Sequence, residues 1–185
     1  MTRSNGHARR YALAAFAAVG VLALVPASAS AGCKHKDAYP ADLSQKVVKR
    51  TTLCLLNHQR KHHGRRALDA NRKLARAARK HASDMVERKY FSHTSLGGAT
   101  FVDRIMRQDY VNPGEGWTLG ENLAWGSYEL ATPKSIVQSW MHSPGHRANI
   151  LSADFHEIGI GVVEGAPESG VEHAATYATS FGTRY

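Results

Sequence analysis

SWMHSPGHRANIL, residues 139–151, decides how this chain is read. His142 and His146 stand four apart, a spacing that on an unbroken helix puts both imidazoles on one face. Ser143-Pro144-Gly145 lies between them. Proline steers its predecessor out of the α region, and Pro-Gly punctuates the chain. A helix entering from TPKSIVQSWMH, capped by Thr132 with Pro133 at its first position, therefore ends before Pro144. The shared-face reading fails for this pair. A zinc helix of the H-E-x-x-H kind is excluded as well, because no glutamate lies between the histidines.

Downstream the period changes. In HEIGIGVVEG, Ile158, Ile160 and Val162 alternate, which predicts a strand; VEHAATYATSFGT predicts a second, with GAPESG as the hairpin loop between them. Upstream the pattern is helical. DLSQKVVKRTTLCLLNHQRKHHG predicts a helix over about 43–63, opened by Asp42 and closed at Gly64. Leu74, Ala77, Ala78, His81, Met85 and Val86 recur at three- and four-residue steps, and the alanines let another element approach closely. TFVDRIMRQ predicts a short third helix capped by Thr100. DYVNPGEGWTLGENLAWGS, 109–127, is rich in glycine and turn residues and reads as a long loop. Helices first and an antiparallel pair last predict an α+β or α/β/α layered domain.

The ends set the compartment. Arg3, Arg9 and Arg10 precede an apolar run over residues 11–25, and ASASA offers cleavage after Ala29 or Ala31. This is the pattern of a secretory signal peptide over 1–31. The run is shorter than the roughly 20 residues of a bilayer span, so no transmembrane segment is expected in the mature chain. Ser30 stands where lipoprotein signals usually carry leucine, so lipidation of Cys33 is not expected. Residues 32–50 then form an arm and the start of the first helix, and 51–183 form one domain. The two cysteines, Cys33 and Cys54, predict one disulfide in an oxidising compartment.

The chain carries 24 Lys and Arg against 15 Asp and Glu. These cations fall mainly on two predicted helices rather than in a block interleaved with aromatics, so nucleic acid is not the expected partner. An exported basic chain meets anionic wall polymers or lipid surfaces, unless the charge simply keeps a helix face solvated. His58, His62 and His63, beside Arg60, Lys61, Arg65 and Arg66, read as such a solvated basic face. Trp117, Trp125 and Trp140 read as packing residues.

Four stretches together, YFSHTS (90–95), GENLAWG (120–126), SWMHSPGHRANIL (139–151) and EIGIGV (157–162), with YATSFGT closing the chain, carry a resemblance. They resemble the bacterial branch of the CAP superfamily, secreted domains that include cysteine-rich secretory proteins, antigen 5 and pathogenesis-related proteins. The resemblance covers roughly residues 51–183. It implies an α-β-α sandwich with a three-stranded antiparallel sheet between helical layers, and a central cleft of two histidines and two glutamates. On the matching motifs, His93, Glu121 and His146 are the cleft residues. Where the family carries its second glutamate, this chain reads Trp140-Met141-His142-Ser143, so that carboxylate is missing. His142 and Glu157 are nearby alternatives, and the sequence puts neither in the cleft.

His93 and His146 could hold zinc or another divalent metal, with Glu121 as a ligand or orienting a ring. A histidine could instead serve as a general base in hydrolysis, but no G-x-S-x-G elbow accompanies it. Equally, the three side chains could only pin loops: the histidines by bonding backbone groups, Glu121 by accepting backbone N–H bonds, with Asn122 in a tight turn. No catalytic residue is assigned. The leading expectation is a secreted, monomeric binding module for a lipid or glycan of the cell envelope or surroundings. A hydrolase using the same cleft is the alternative, and a scaffold without small-molecule chemistry a third reading.

Overall fold

The computed structural model describes residues 32–185. The signal-peptide reading and its cleavage sites lie outside the described residues. In chain order the elements are α1 (Gln45–His62), β1 (Asp69–Ala70), α2 (Arg72–Arg88), α3 (Phe101–Met106), β2 (Trp117–Ser127), α4 (Pro133–His142), α5 (Pro144–Leu151), β3 (Glu157–Glu164) and β4 (Ala174–Arg184).

Strand order is β1-β3-β4-β2. β4 is central and antiparallel to both neighbours, with Glu121 opposite Ser180 and Gly159 also opposite Ser180. The α+β class and the antiparallel trio hold as expected. The sheet also carries a fourth, two-residue strand: β1 pairs parallel with Glu157 and Ile158.

Strict alternation builds the layers. On one face Ile158, Ile160, Val162, Tyr177 and Phe181 meet Val48 and Leu56 of α1, Trp140 of α4 and Ile150 of α5 in the main core. On the other face stand Gly159 and Gly161, and α2 lies directly over them. A Cβ at Gly159 would fall 2.0 Å from the backbone of Leu74 and Ala75, and one at Gly161 would fall 2.3 Å from Arg79 N. Glycine here is a matter of space: it lets a helix sit on the sheet. Ala78, Ala82 and Met85 then pack against Leu123 and Ala178. Two helical layers therefore enclose one sheet.

Several local readings change. Ser44, not Asp42, caps α1, accepting from Val47 N. Thr100 and Thr132 cap α3 and α4 as expected. Residues 117–127, read as loop, form an eleven-residue strand. Its glycines mark close approaches rather than turns: a Cβ at Gly120 would strike Phe155, and one at Gly126 would strike the carbonyl of Leu130. Pro144-Gly145 ends α4 but also starts α5, since proline suits a helix's first turn. Trp140 is buried, with Nε1 donating to Leu123 O, whereas Trp117 is exposed at the start of β2.

Arg60 does not belong to the solvated face. It is 1% exposed and donates to the carbonyls of Arg66, Ile150, Ser152 and Phe155. It thereby occupies carbonyls around the end of α5, which a helix terminus otherwise leaves bare. His58, His62 and His63 are not drawn into the core: His62 and His63 are exposed, and the His58 ring stays outside the buried set. Cys33 and Cys54 form the expected disulfide, which ties the N-terminal arm to α1. Thr51 Oγ1 adds a hydrogen bond to Lys34 O. Among the described residues no helix is long and apolar enough to cross a membrane.

Candidate functional site: a cleft at the outer edge of β2

β2 is an outer strand, so its side chains project to opposite faces beside the sheet's edge. Glu121 points to the α2 face and Asn122 to the face of α4 and α5. The Glu121 side chain is 2% exposed and both its oxygens are engaged. Oε2 accepts from Arg104 Nη2 at 2.7 Å, and Oε1 lies 2.9 Å from His93 Nδ1. His93 stands in the segment after α2 with its side chain 56% exposed. Bonding to a carboxylate puts the ring proton on Nδ1 and leaves the Nε2 lone pair available in the neutral ring.

Arg104 is the functional residue that sequence reasoning missed. From α3 it donates to Glu121 Oε2, His93 O, Ala99 O and Ser95 Oγ. One planar fork therefore fixes both the carboxylate and the loop that carries the histidine. A signal was present: Arg104 is the lone cation among Phe101, Val102, Ile105 and Met106. A charged residue inside an apolar helix needs a buried partner.

His146 comes from the opposite helical layer, on the first turn of α5. Asn122 Nδ2 donates to its carbonyl at 3.0 Å. Asn149, also on α5, donates to Glu121 O and Asn122 Oδ1, so the helix is fastened to the strand edge. Asn122 is thus a buried strand residue and not the turn residue expected. The His146 imidazole is half-buried. Burial, and then the charge of His93, push its pKa below the ordinary histidine value. The two rings share one electrostatic neighbourhood although they enter from opposite sides of the sheet.

Neither alternative for the missing glutamate joins them. His142 is exposed, with Nδ1 on Gln138 O. Glu157 lies at the other edge of the sheet, accepting from Asn71 and Tyr110. Burial pushes its pKa up, but these bonds and the charge of Arg184 outweigh burial and leave it below the usual range. Behind Arg104, His81 is 1% exposed and its Nε2 bonds Ser92 O. Burial, and then the charge of Arg104, lower its pKa, so it stays neutral.

The arrangement gives two imidazoles that can accept a proton or ligate a cation, and one carboxylate already spent on orientation. Among the described residues no group of three or more His, Cys, Asp or Glu is placed to hold a metal. Ser92 Oγ accepts from Thr94 N and Ser95 Oγ accepts from Arg104. Among the described residues no serine is hydrogen-bonded to either imidazole.

Comparison with known proteins places this geometry. Two proteins of Bacillus subtilis (strain 168) are related in sequence. Uncharacterized protein YkwD is 36% identical over 110 residues, 60% of this chain and 40% of that one. Uncharacterized membrane protein YlbC is 32% identical over 118 residues, 64% of this chain and 32% of that one. The chain thus spans less than half the length of either relative. An outer surface protein from Borrelia burgdorferi shares the fold, with a TM-score of 0.64 at 22% identity, covering 77% of this chain and 97% of that one. An extracellular protein containing a SCP domain from Bacillus anthracis str. Ames superposes with a TM-score of 0.58 at 27% identity, over 75% of this chain and 43% of that one. The Cysteine-rich secretory protein family, CAP, matches residues 53–179, from within α1 to within β4, and so spans the cleft. With its layers, its strand order and most of its length accounted for, this chain belongs to the cysteine-rich secretory protein family.

Proposed function

We propose that this protein is exported and acts as a binding module, taking an extracellular or cell-envelope ligand in the cleft formed by His93, Glu121 and His146. The observation that carries this reading is the double engagement of Glu121. With one oxygen on Arg104 and the other on His93, the carboxylate orients an imidazole instead of reacting. What the cleft offers a ligand is the exposed ring of His93 and the half-buried ring of His146. These accept hydrogen bonds from the hydroxyls of a glycan or lipid headgroup. They also fit a divalent cation such as zinc held by two nitrogens, with Glu121 fixing one ring from behind. Such a cation would bridge the cleft to an anionic group. The donor set does not fit a closed zinc site, which needs four ligands.

Export is supported by the signal-peptide pattern and by the disulfide, which persists in oxidising compartments. The relatives' own descriptions as outer-surface and extracellular proteins agree with it.

A hydrolase is the second reading, favoured by the carboxylate–imidazole pair, which is the arrangement of a general base held in one tautomer. Calorimetric titration with zinc separates the parts. Wild type should bind, His93→Ala and His146→Ala should not, and Glu121→Gln should bind roughly 10- to 100-fold more weakly. No heat in wild type removes the cation from the proposal. Incubation with purified peptidoglycan and with lipid vesicles then decides between binding and turnover. Peptidoglycan cleavage that vanishes in a folded Glu121→Gln variant would replace the binding module with the hydrolase.

A further inference from the structure

The basic helices are not used by the cleft, and their charge converges elsewhere. β1 pairs only with Glu157 and Ile158, so beside Ile160 the edge of β3 has no strand partner among the described residues. A gap opens there between α1 and α2. It is a slot of about 160 Å³ floored by Leu53, Ala70, Ala75, Ile158 and Ile160. Through Lys49, Arg72 and Ala75 the slot continues into a trough of about 420 Å³ along α2. Arg72, Arg76, Arg79 and Lys80 line the trough at helical spacing, with Lys49 facing them from α1 and Arg50 at the slot. Among the described residues no acidic side chain lines either cavity. Among them, too, none of these six cations forms an ion pair. α2 also has no acidic residue in its first turn to offset the positive end of its dipole.

We infer that this slot and trough form a second binding site, separate from the cleft, for a single-chain anionic amphiphile: a carboxylate headgroup on the arginine trough, with the start of its alkyl chain in the slot. A plain polyanion would use the trough and leave the apolar slot empty. A neutral lipid would use the slot and leave six like charges uncompensated. Only a ligand with both features satisfies both halves. Burying alkyl carbons supplies the attraction that exposed ion pairs, weak and screened by salt, do not.

The test is calorimetric titration of the disulfide-bonded protein with sodium laurate below its micelle concentration. Acetate, dodecyltrimethylammonium and polyphosphate are the comparison probes. Laurate binds, acetate and dodecyltrimethylammonium do not. Replacing two exposed headgroup contacts, Arg72→Gln with Arg76→Gln, weakens laurate roughly tenfold, while zinc titration at the cleft is unchanged. Ala75→Met, which fills the slot and leaves the charges intact, weakens laurate but not polyphosphate. Laurate binding no tighter than acetate overturns the site. So does laurate binding untouched by both sets of substitutions, and so does a polyphosphate affinity exceeding that of laurate, which would make the trough a polyanion track. Failure of zinc to bind at the cleft would leave this site standing, because the two share no residue.

Discussion

Arg104 Nη2 lies 2.7 Å from Glu121 Oε2, and the two side chains are 9% and 2% exposed. This is a buried ion pair bridging α3 to the edge strand, and it is the support on which His93 rests. Burying two charges is costly, and the cost is recovered only because the other donors of the Arg104 fork also find oxygens.

Removing one partner should therefore hurt more than removing both. Arg104→Met strands the carboxylate in the interior and should cost about 3–5 kcal/mol in urea unfolding. Arg104→Met with Glu121→Met should recover a large part of that loss. Arg104→Lys keeps the charge but not the fork, and it should fail to restore the zinc heat even where the protein folds. A double variant no more stable than the single would contradict the pairing.

The histidines set a pH dependence. His81 and His146 are both held below the ordinary value, each first by burial and then by a neighbouring positive charge. In the unfolded chain they titrate near pH 6.5, so below that value the unfolded state binds more protons than the folded one. Their contribution is complete above about pH 6.5 and is lost as the pH falls through the folded values. Urea midpoints should fall between about pH 7.5 and about pH 5.5, and His146→Asn should flatten part of the slope. A midpoint that rises on acidification would refute this.

The glycines of β3 make a steric prediction. Gly159→Ala and Gly161→Ala drive a methyl into the backbone of α2, which must lift off the sheet. Each should cost about 1–3 kcal/mol or more by thermal unfolding. Gly145→Ala, on the first turn of α5 with nothing within 4 Å of its would-be Cβ, should be neutral or slightly stabilising. Equal melting temperatures for all three variants would mean that α2 does not sit where described.

The disulfide joins residues 21 apart in sequence. Chain-entropy reasoning assigns such a loop about 3 kcal/mol. Cys33→Ser with Cys54→Ser should lose that amount and free the arm, measurable as faster amide exchange at the N-terminal half of α1. Unchanged stability would show that the arm is held by its other contacts alone.

Sequence alone carried a good deal of this protein. Thr100, Thr132 and Pro133 announced their helix ends, because capping is a contact within three residues. Ile158, Ile160 and Val162 announced a strand, because side chains alternate along extended backbone whatever lies above it. The family motifs named His93, Glu121 and His146 as candidates. Other features stayed hidden because their causes are not local. The glycines of 120–126 look like turn residues until Phe155 and Leu130 are seen pressing on them, and so β2 reads as loop. Arg60 looks like one more surface cation until it is seen among four carbonyls, those of Ile150, Ser152 and Phe155 lying 90, 92 and 95 residues away. Arg104 reaches Glu121 across 17 residues, and Glu121 reaches His93 across 28. Composition and spacing fix which groups must find partners. Which partner each finds depends on how two helical layers register against a sheet, and packing decides that only once the whole chain has closed.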